Sequence, residues 1–170
     1  MPSRPSSRFE QLLSATREAG ASWREDGVRV RFVARADEMV TFYVLDDESR
    51  RGISRELLGL GEGDRQCDCA IHLKARGADT LCLVELKGSK IDQAAAQLCD
   101  TAAALKRFIQ TCDDAPDCCR SIAWKHLIRI HHASPGSKLS NDSVRRIRAE
   151  FGERPRVSRA EDASVKIRGG

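Results

Sequence analysis

The sequence predicts a single α/β domain, a mixed β-sheet flanked by helices. Three observations predict it. Apolar runs of strand length recur along the chain, a long stretch of helical period separates the last two of them, and the elements follow the order helix, strands, helix, strand. At 170 residues the chain suits one domain that closes around its own core, and 41% hydrophobic with 32% charged residues is a globular composition. No internal repeat or inter-domain linker interrupts it, so residues 1–170 read as one unit with a basic C-terminal segment from about 145 to 170.

Residues 7–19 read as a helix. Phe9, Leu12, Leu13 and Ala15 form an apolar stripe, Gly20 is a stop, and Ser6 or Ser7 caps the start. Residues 28–34 alternate Val28, Val30, Phe32 and Ala34 with Arg29 and Arg31, which predicts a strand with one buried face. Residues 39–45 are a more apolar strand. The Arg-Ala-Asp-Glu between the two predicts a hairpin loop joining them, and the acids from Asp46 to Glu48 end the pair. Ile53, Leu57, Leu58 and Leu60 predict a short helix within 51–63, with Gly59, Gly61 and Gly63 loosening the approach to the next strand.

Residues 68–73 and 80–86 predict an antiparallel hairpin around a turn at 75–79. Gly88-Ser89-Lys90 breaks the second strand. A helix over 91–110 carries the stripe Ala94, Leu98, Ala102, Leu105 and Ile109. Residues 112–120 read as a polar loop, 122–130 as a strand, 144–151 as an amphipathic helix and 164–168 as a last short strand.

Composition narrows the functional classes. No apolar run approaches the roughly 20 residues of a membrane-spanning helix, and the first eight residues, Met-Pro-Ser-Arg-Pro-Ser-Ser-Arg, have no secretory apolar stretch. The expected location is the cytoplasm. There are 7 cysteines, an odd number, and Cys67, Cys69 and Cys82 sit inside apolar runs, so reduced core thiols are expected in place of a disulfide framework. The net charge is +4. From Arg145 onward arginines outnumber acids, a pattern that fits phosphate contacts and equally a solvated surface.

The chemistry concentrates in Gln66-Cys67-Asp68-Cys69-Ala70-Ile71 and Leu83-Val84-Glu85-Leu86-Lys87-Gly88. Each acid interrupts an apolar strand, where a carboxylate is costly unless a cation or strong donors compensate it. Side chains alternate along a strand, so Glu85 and Lys87 share a face while Leu86 turns to the core. In a hairpin, Asp68 is brought beside that face. Two carboxylates, an ammonium and the main-chain carbonyl of Leu86 then suit Mg²⁺ or Mn²⁺, which takes few carboxylates, keeps several waters and activates one of them toward a phosphate. Asp64 competes with Asp68 for a metal, although its Gly-rich loop points to a turn.

Asp68, then sixteen residues, then Glu85-Leu86-Lys87 at a strand end before a helix resembles the signature of the PD-(D/E)XK nucleases, over roughly residues 62–109. Cys67 stands where the name-giving pattern has proline. The resemblance implies a restriction-endonuclease-like core (αβββαβ) and a metal-dependent DNA endonuclease, of use in restriction, phage defence or DNA repair. It implies metal binding by Asp68 and Glu85 and a role for Lys87 in assisting the attacking water. It further implies a supporting glutamine on the following helix, for which Gln97 fits better than Gln93, and an acid from the first helix, for which Glu10 is the candidate. Thr101 stands where one branch, that of recombination exonucleases, carries tyrosine. A homodimer or a place in a larger assembly is the expected state. Duplex DNA is slightly preferred as partner, because the few aromatics form no stacking platform.

Other readings are weaker. A Glu-x-Lys triplet by itself is common on solvated strands. Cys112, Cys118, Cys119, His126, His131 and His132 lack the spacing of a zinc site, and His126 reads as a packed core histidine. Lys125, Arg129, His131 and His132 either flank a DNA path or make a solvated strand face. Gly88-Ser89-Lys90 lacks the spacing of a phosphate-binding loop. Besides the enzyme, a binding module that keeps the fold without catalysis and an interaction protein whose buried charges merely pair are the competing classes.

Overall fold

A computed structural model of the chain describes residues 7–25, 27–46, 51–75, 78–87, 90–130 and 138–168. In chain order the strands are β1 (Arg17–Glu18), β2 (Ser22–Glu25), β3 (Val28–Arg31), β4 (Met39–Val44), β5 (Cys69–Ala75), β6 (Ala78–Lys87), β7 (Ala123–Ile130) and β8 (Val157–Ser158). The helices are α1 (Arg8–Thr16), α2 (Arg51–Leu58), α3 (Ile91–Thr111), α4 (Asp117–Arg120), α5 (Asn141–Phe151) and α6 (Ser164–Arg168). A mixed six-stranded sheet in the order β1-β4-β5-β6-β7-β8 is the centre of this α/β fold, and β2 and β3 form a separate two-stranded sheet.

Strands β4, β5 and β6 make an antiparallel meander, whereas β7 lies parallel to β6. A parallel neighbour requires a crossover, and α3 supplies it. The stripe of α3, including Ala94, Leu98, Ala102 and Leu105, covers one face of the sheet at Ala70, Leu83 and Ile128, joined by Leu12 of α1 and Ile147 of α5. The opposite face, Ile71, Val84, Leu86 and Leu127, is covered by Val28 and Val30 of β3 and by Ile167 of α6. Each buried Leu, Ile or Val among them contributes about 1.5–3 kcal/mol on burial. Two covered faces explain why the sheet strands read as apolar runs and not as strict alternation.

Helix ends follow local chemistry. Ser7 caps α1, its Oγ accepting the Glu10 N–H at 3.0 Å while Glu10 Oε2 accepts the Ser7 N–H at 3.2 Å. Ser140 caps α5, and Gly152, at φ 70°, ends it in the left-handed conformation.

The structure departs from the sequence reading in four places. Strand β3 does not form a hairpin with β4: it stops at Arg31 and pairs with β2, an element the sequence reading missed, while β4 pairs with β1 and β5. Gly27, at φ 77°, sits in the reversal before β3, and pairing with β2 lets Val28 and Val30 bury against the sheet face instead of extending its edge. The first helix ends at Thr16, and Arg17–Glu18 becomes an edge strand. Residues 112–120 contain the short helix α4, entered through Pro116. Residues 164–168 are helical and not a strand. Asp162 Oδ1 accepts the Ser164 N–H at 2.9 Å, the Ile167 N–H bonds Ala163 O at 3.0 Å, and the buried Ala163 and Ile167 are four apart, one helical turn. The tip of the 75–79 turn, Glu48, Gly88, Ser89 and Ser6 lie outside the described residues.

Candidate active site

Asp68 immediately precedes β5, and Glu85 lies near the end of β6. Cys69 opposes Val84, so the next antiparallel pair sets Asp68 opposite Glu85 on the same sheet face. The two strands interlock there. The Asp68 N–H donates to Glu85 Oε2 at 3.2 Å, and the Leu86 N–H donates to Asp68 Oδ2. Both residues are buried, Asp68 at 3% exposure and Glu85 at 0%. Lys87 Nζ lies 2.6 Å from Glu85 Oε1, with its side chain still partly open to solvent. Leu86 turns to the opposite face and is buried there.

This geometry leaves negative charge undercompensated. Burial, and then the facing Glu85, push the Asp68 carboxyl far above the ordinary carboxylate range. Burial also raises Glu85, against the hydrogen bond and charge of Lys87. Burial by itself would lower Lys87, but its bond to Glu85 and the fields of Glu85 and Asp68 raise it. Glu25, at the end of β2, adds to the same field, raising both Asp68 and Lys87.

A second set of bonds holds Asp68 in place. Its carbonyl accepts the N–H groups of Leu45 (2.8 Å) and Asp46 (3.2 Å). On the other side α3 clamps the residues before it: Gln97 Nε2 donates to Gln66 O at 3.1 Å, and Thr101 Oγ1 accepts the Cys67 N–H at 2.7 Å while donating to Gln97 O at 2.8 Å. Gln97 thus positions the chain that carries Asp68 and makes no hydrogen bond to either carboxylate. Gln93 is exposed on the same helix and lines a polar cleft with Gln97. Glu10 is exposed and closes the cap of α1. Asp64 makes a turn, its Oδ2 accepting the Gly61 N–H at 2.7 Å.

Among the described residues no three His, Cys, Asp or Glu side chains converge as a metal cluster. The donor set is therefore two carboxylates and main-chain oxygen. The N–H and C=O of a strand residue face the same neighbour, so the Leu86 carbonyl shares the side on which its N–H meets Asp68. Hard oxygens in this number fit Mg²⁺ or Mn²⁺, which completes its shell with water. His126 is fully buried in the core, and His131 and His132 lie outside the described residues. Lys125 and Arg129 are tied within the protein: Lys125, half-buried, donates from Nζ to Ile167 O at 2.7 Å, and Arg129, 4% exposed, donates to Arg29 O at 3.1 Å. Part of the basic C-terminal segment is likewise tied inward, as Arg146 pairs with Asp100, Arg156 with Glu153 and Arg168 with Glu38. Cys67, Cys69, Cys82, Cys99, Cys112 and Cys119 form no disulfide.

Three contributors escaped the sequence reading: Glu25, Gln66 and the hydroxyl of Thr101. Glu25 sits on the missed strand β2. Gln66, two residues before Asp68, and Thr101, four residues after Gln97, carried a usable signal, since buried polar groups near an acid are the ones able to orient it. No family model, curated protein or solved structure matches this chain. Among the described residues no helix is long and apolar enough to cross a membrane.

Proposed function

We propose that the chain is a metal-dependent DNA endonuclease with a restriction-endonuclease-like core, hydrolysing phosphodiester bonds at Asp68, Glu85 and Lys87. The observation that carries this reading is the pair of buried carboxylates set face to face across β5 and β6, each gripped by the other strand's main chain, with one amine beside them. Two like charges in such a place are expensive unless a cation joins them. The succession α1, β4-β5-β6, α3 and parallel β7 supports the αβββαβ core, with β2-β3 and α2 inserted in it.

Asp68, Glu85 and the Leu86 carbonyl would hold Mg²⁺ or Mn²⁺, whose contribution is Lewis acidity toward the phosphate and a water made acidic enough to attack it. The interlocked main-chain bonds fix both carboxylates before substrate arrives, so little reorganisation is needed. Lys87 retains its proton and is the cation paired with Glu85; released from Glu85, it is placed to orient the attacking water and to balance charge on the phosphate. Substrate choice within DNA rests with the elements around this centre.

A second reading is favoured by one observation. The direct ion pair of Lys87 with Glu85 lets the protein's own ammonium take the place of a metal, as expected of a nuclease-fold module that binds DNA or a protein without cutting. Incubation of the purified protein with supercoiled and linear DNA, in Mg²⁺, Mn²⁺ or chelator, separates the two. Cutting that needs metal and disappears in Lys87→Ala supports the enzyme; DNA binding without cutting under every condition overturns it in favour of the module.

A further inference from the structure

We infer that an apolar cavity between α1, the sheet and α3 is a binding site for an uncharged hydrophobic molecule the size of one aromatic ring with a short chain. The cavity encloses about 240 Å³ on the α3 face of the sheet. Leu12, Leu45, Ala70, Leu105 and Phe108 line its buried part, and the half-buried Phe9, Leu13, Tyr43, Leu81 and Ile122 complete its walls. Asp68, Glu85 and Lys87 have no part in it.

The walls decide what it holds. Thr16, Tyr43, His72 and Cys119 are in the lining, yet the surface of the cavity is almost wholly apolar. Thr16, 1% exposed, spends its hydroxyl proton on Leu12 O at 2.7 Å. His72 Nε2 is covered and lies 3.7 Å from Asp79 Oδ2. A water held in a cavity needs two to four polar partners, so water gains little here. An unfilled void is unfavourable in its turn, at a cost that grows with its volume. Apolar cavities of about 150 Å³ with Leu, Ile and Phe walls stay dry and take benzene. At about 240 Å³ this one has room for a ring and a few further carbons. Phe9, Tyr43 and Phe108 offer that ring aromatic partners, and a charged group inside would lose its water for nothing.

The surroundings favour a small molecule over a docked protein. A protein partner needs apolar surface spread beyond the cavity itself. Next to the lining residues in sequence stand Arg8, Glu10, Arg17, Asp117 and Arg120, all exposed and all charged. The exposed large hydrophobics Val33, Met39, Ile53 and Val157 are not in the lining. Apolar contact therefore ends at the mouth, and the guest is limited to what the cavity encloses.

The test is methyl NMR of the full chain titrated with propylbenzene and, in parallel, with hydrocinnamate, which keeps the ring and chain length but ends in a carboxylate. Propylbenzene is expected to shift the methyl signals of Leu12, Leu13, Leu45 and Leu105 and to raise the thermal midpoint. Hydrocinnamate should bind at least about tenfold more weakly. Leu13→Trp, checked for folding by circular dichroism, puts the protein's own ring in the space and should abolish the shifts. Both probes are read on the unaltered protein, so the result stands even where that variant does not fold. No methyl shift up to the solubility of propylbenzene, equal binding of hydrocinnamate, or shifts centred on Val33, Ile53 and Val157 overturns the assignment. So does affinity that falls as protein concentration and sedimenting mass rise together, which would give the cavity to a second copy of the chain. The cavity shares no residue with the carboxylate pair, so the cleavage assays leave it standing whichever way they fall.

Discussion

Neighbouring strands β6 and β7 each bury an ionisable pair, and the two are built on opposite plans. His126 of β7 is fully buried, yet each ring nitrogen meets a complementary group: Nε2 accepts the Arg156 N–H at 3.0 Å, and Nδ1 lies 3.2 Å from Glu153 Oε1. Its ring packs on Phe151, with centroids 4.7 Å apart. Burial pulls its pKa down to about 4, so it sits neutral in the core. Asp68 and Glu85 are buried as deeply but bear the same sign of charge; burial raises both, and Glu85 raises Asp68 further. Burial of a titratable group is therefore no mark of function by itself. What distinguishes the carboxylate pair is like charge held together by strand-end main chain, whereas His126 stays neutral beside a carboxylate.

The contrast can be broken in four ways, from the largest expected effect to the smallest. Asp68→Asn and Glu85→Gln should each lower metal-dependent cleavage by about 10²–10³-fold, the scale on which a fixed electrostatic group at a reacting centre counts, whereas His126→Leu should leave the cleavage rate unchanged; plasmid-nicking time courses read both. Mg²⁺ at a hundred times its dissociation constant should stabilise the unaltered protein by about 2.7 kcal/mol in urea unfolding, and Asp68→Asn should remove that gain.

In chelator the stability order should invert. His126→Leu strands the Arg156 N–H and is expected to cost about 1–3 kcal/mol. Asp68→Asn keeps an oxygen for the Leu86 N–H, relieves the repulsion and should raise the urea midpoint. A loss of stability in Asp68→Asn would mean that the pair is structural after all.

The smallest effect is the pH dependence, and its sign differs between the pairs. The Asp68 and Glu85 pKa values are raised on folding, so the stability these groups contribute is complete below the ordinary carboxylate range and is lost as pH rises toward about 7 for Glu85 and about 9 for Asp68. The His126 pKa is depressed from 6.5 to about 4, so its contribution is present above pH 6.5 and is lost as pH falls toward 4. Urea midpoints across this range, without metal, should flatten on the alkaline side in Asp68→Asn and on the acid side in His126→Leu.

Much of the site was legible in the chain. Acids interrupting the apolar runs at Asp68 and Glu85, and the two-residue spacing to Lys87, put three groups on one face of a hairpin, and the structure brings them together. The supporting shell was legible only in part. Gln97 could be picked out, but its target, the Gln66 carbonyl, is 31 residues away in sequence. Glu25 reaches the site from a hairpin whose pairing no local pattern announced.

What the sequence alone determined is what local rules govern: the period-2 and period-3.6 stripes, the Ser7 cap, the shared face of Glu85 and Lys87. Tertiary structure decided which strand β3 would join, whether residues 164–168 would be strand or helix, and the protonation tendency of the carboxylate pair. Strand pairing depends on which distant surface buries the apolar face, and a short segment takes the form that buries its side chains best. The pKa of a carboxyl moves only when folding removes its water and sets another charge against it, so that property does not exist in the unfolded chain.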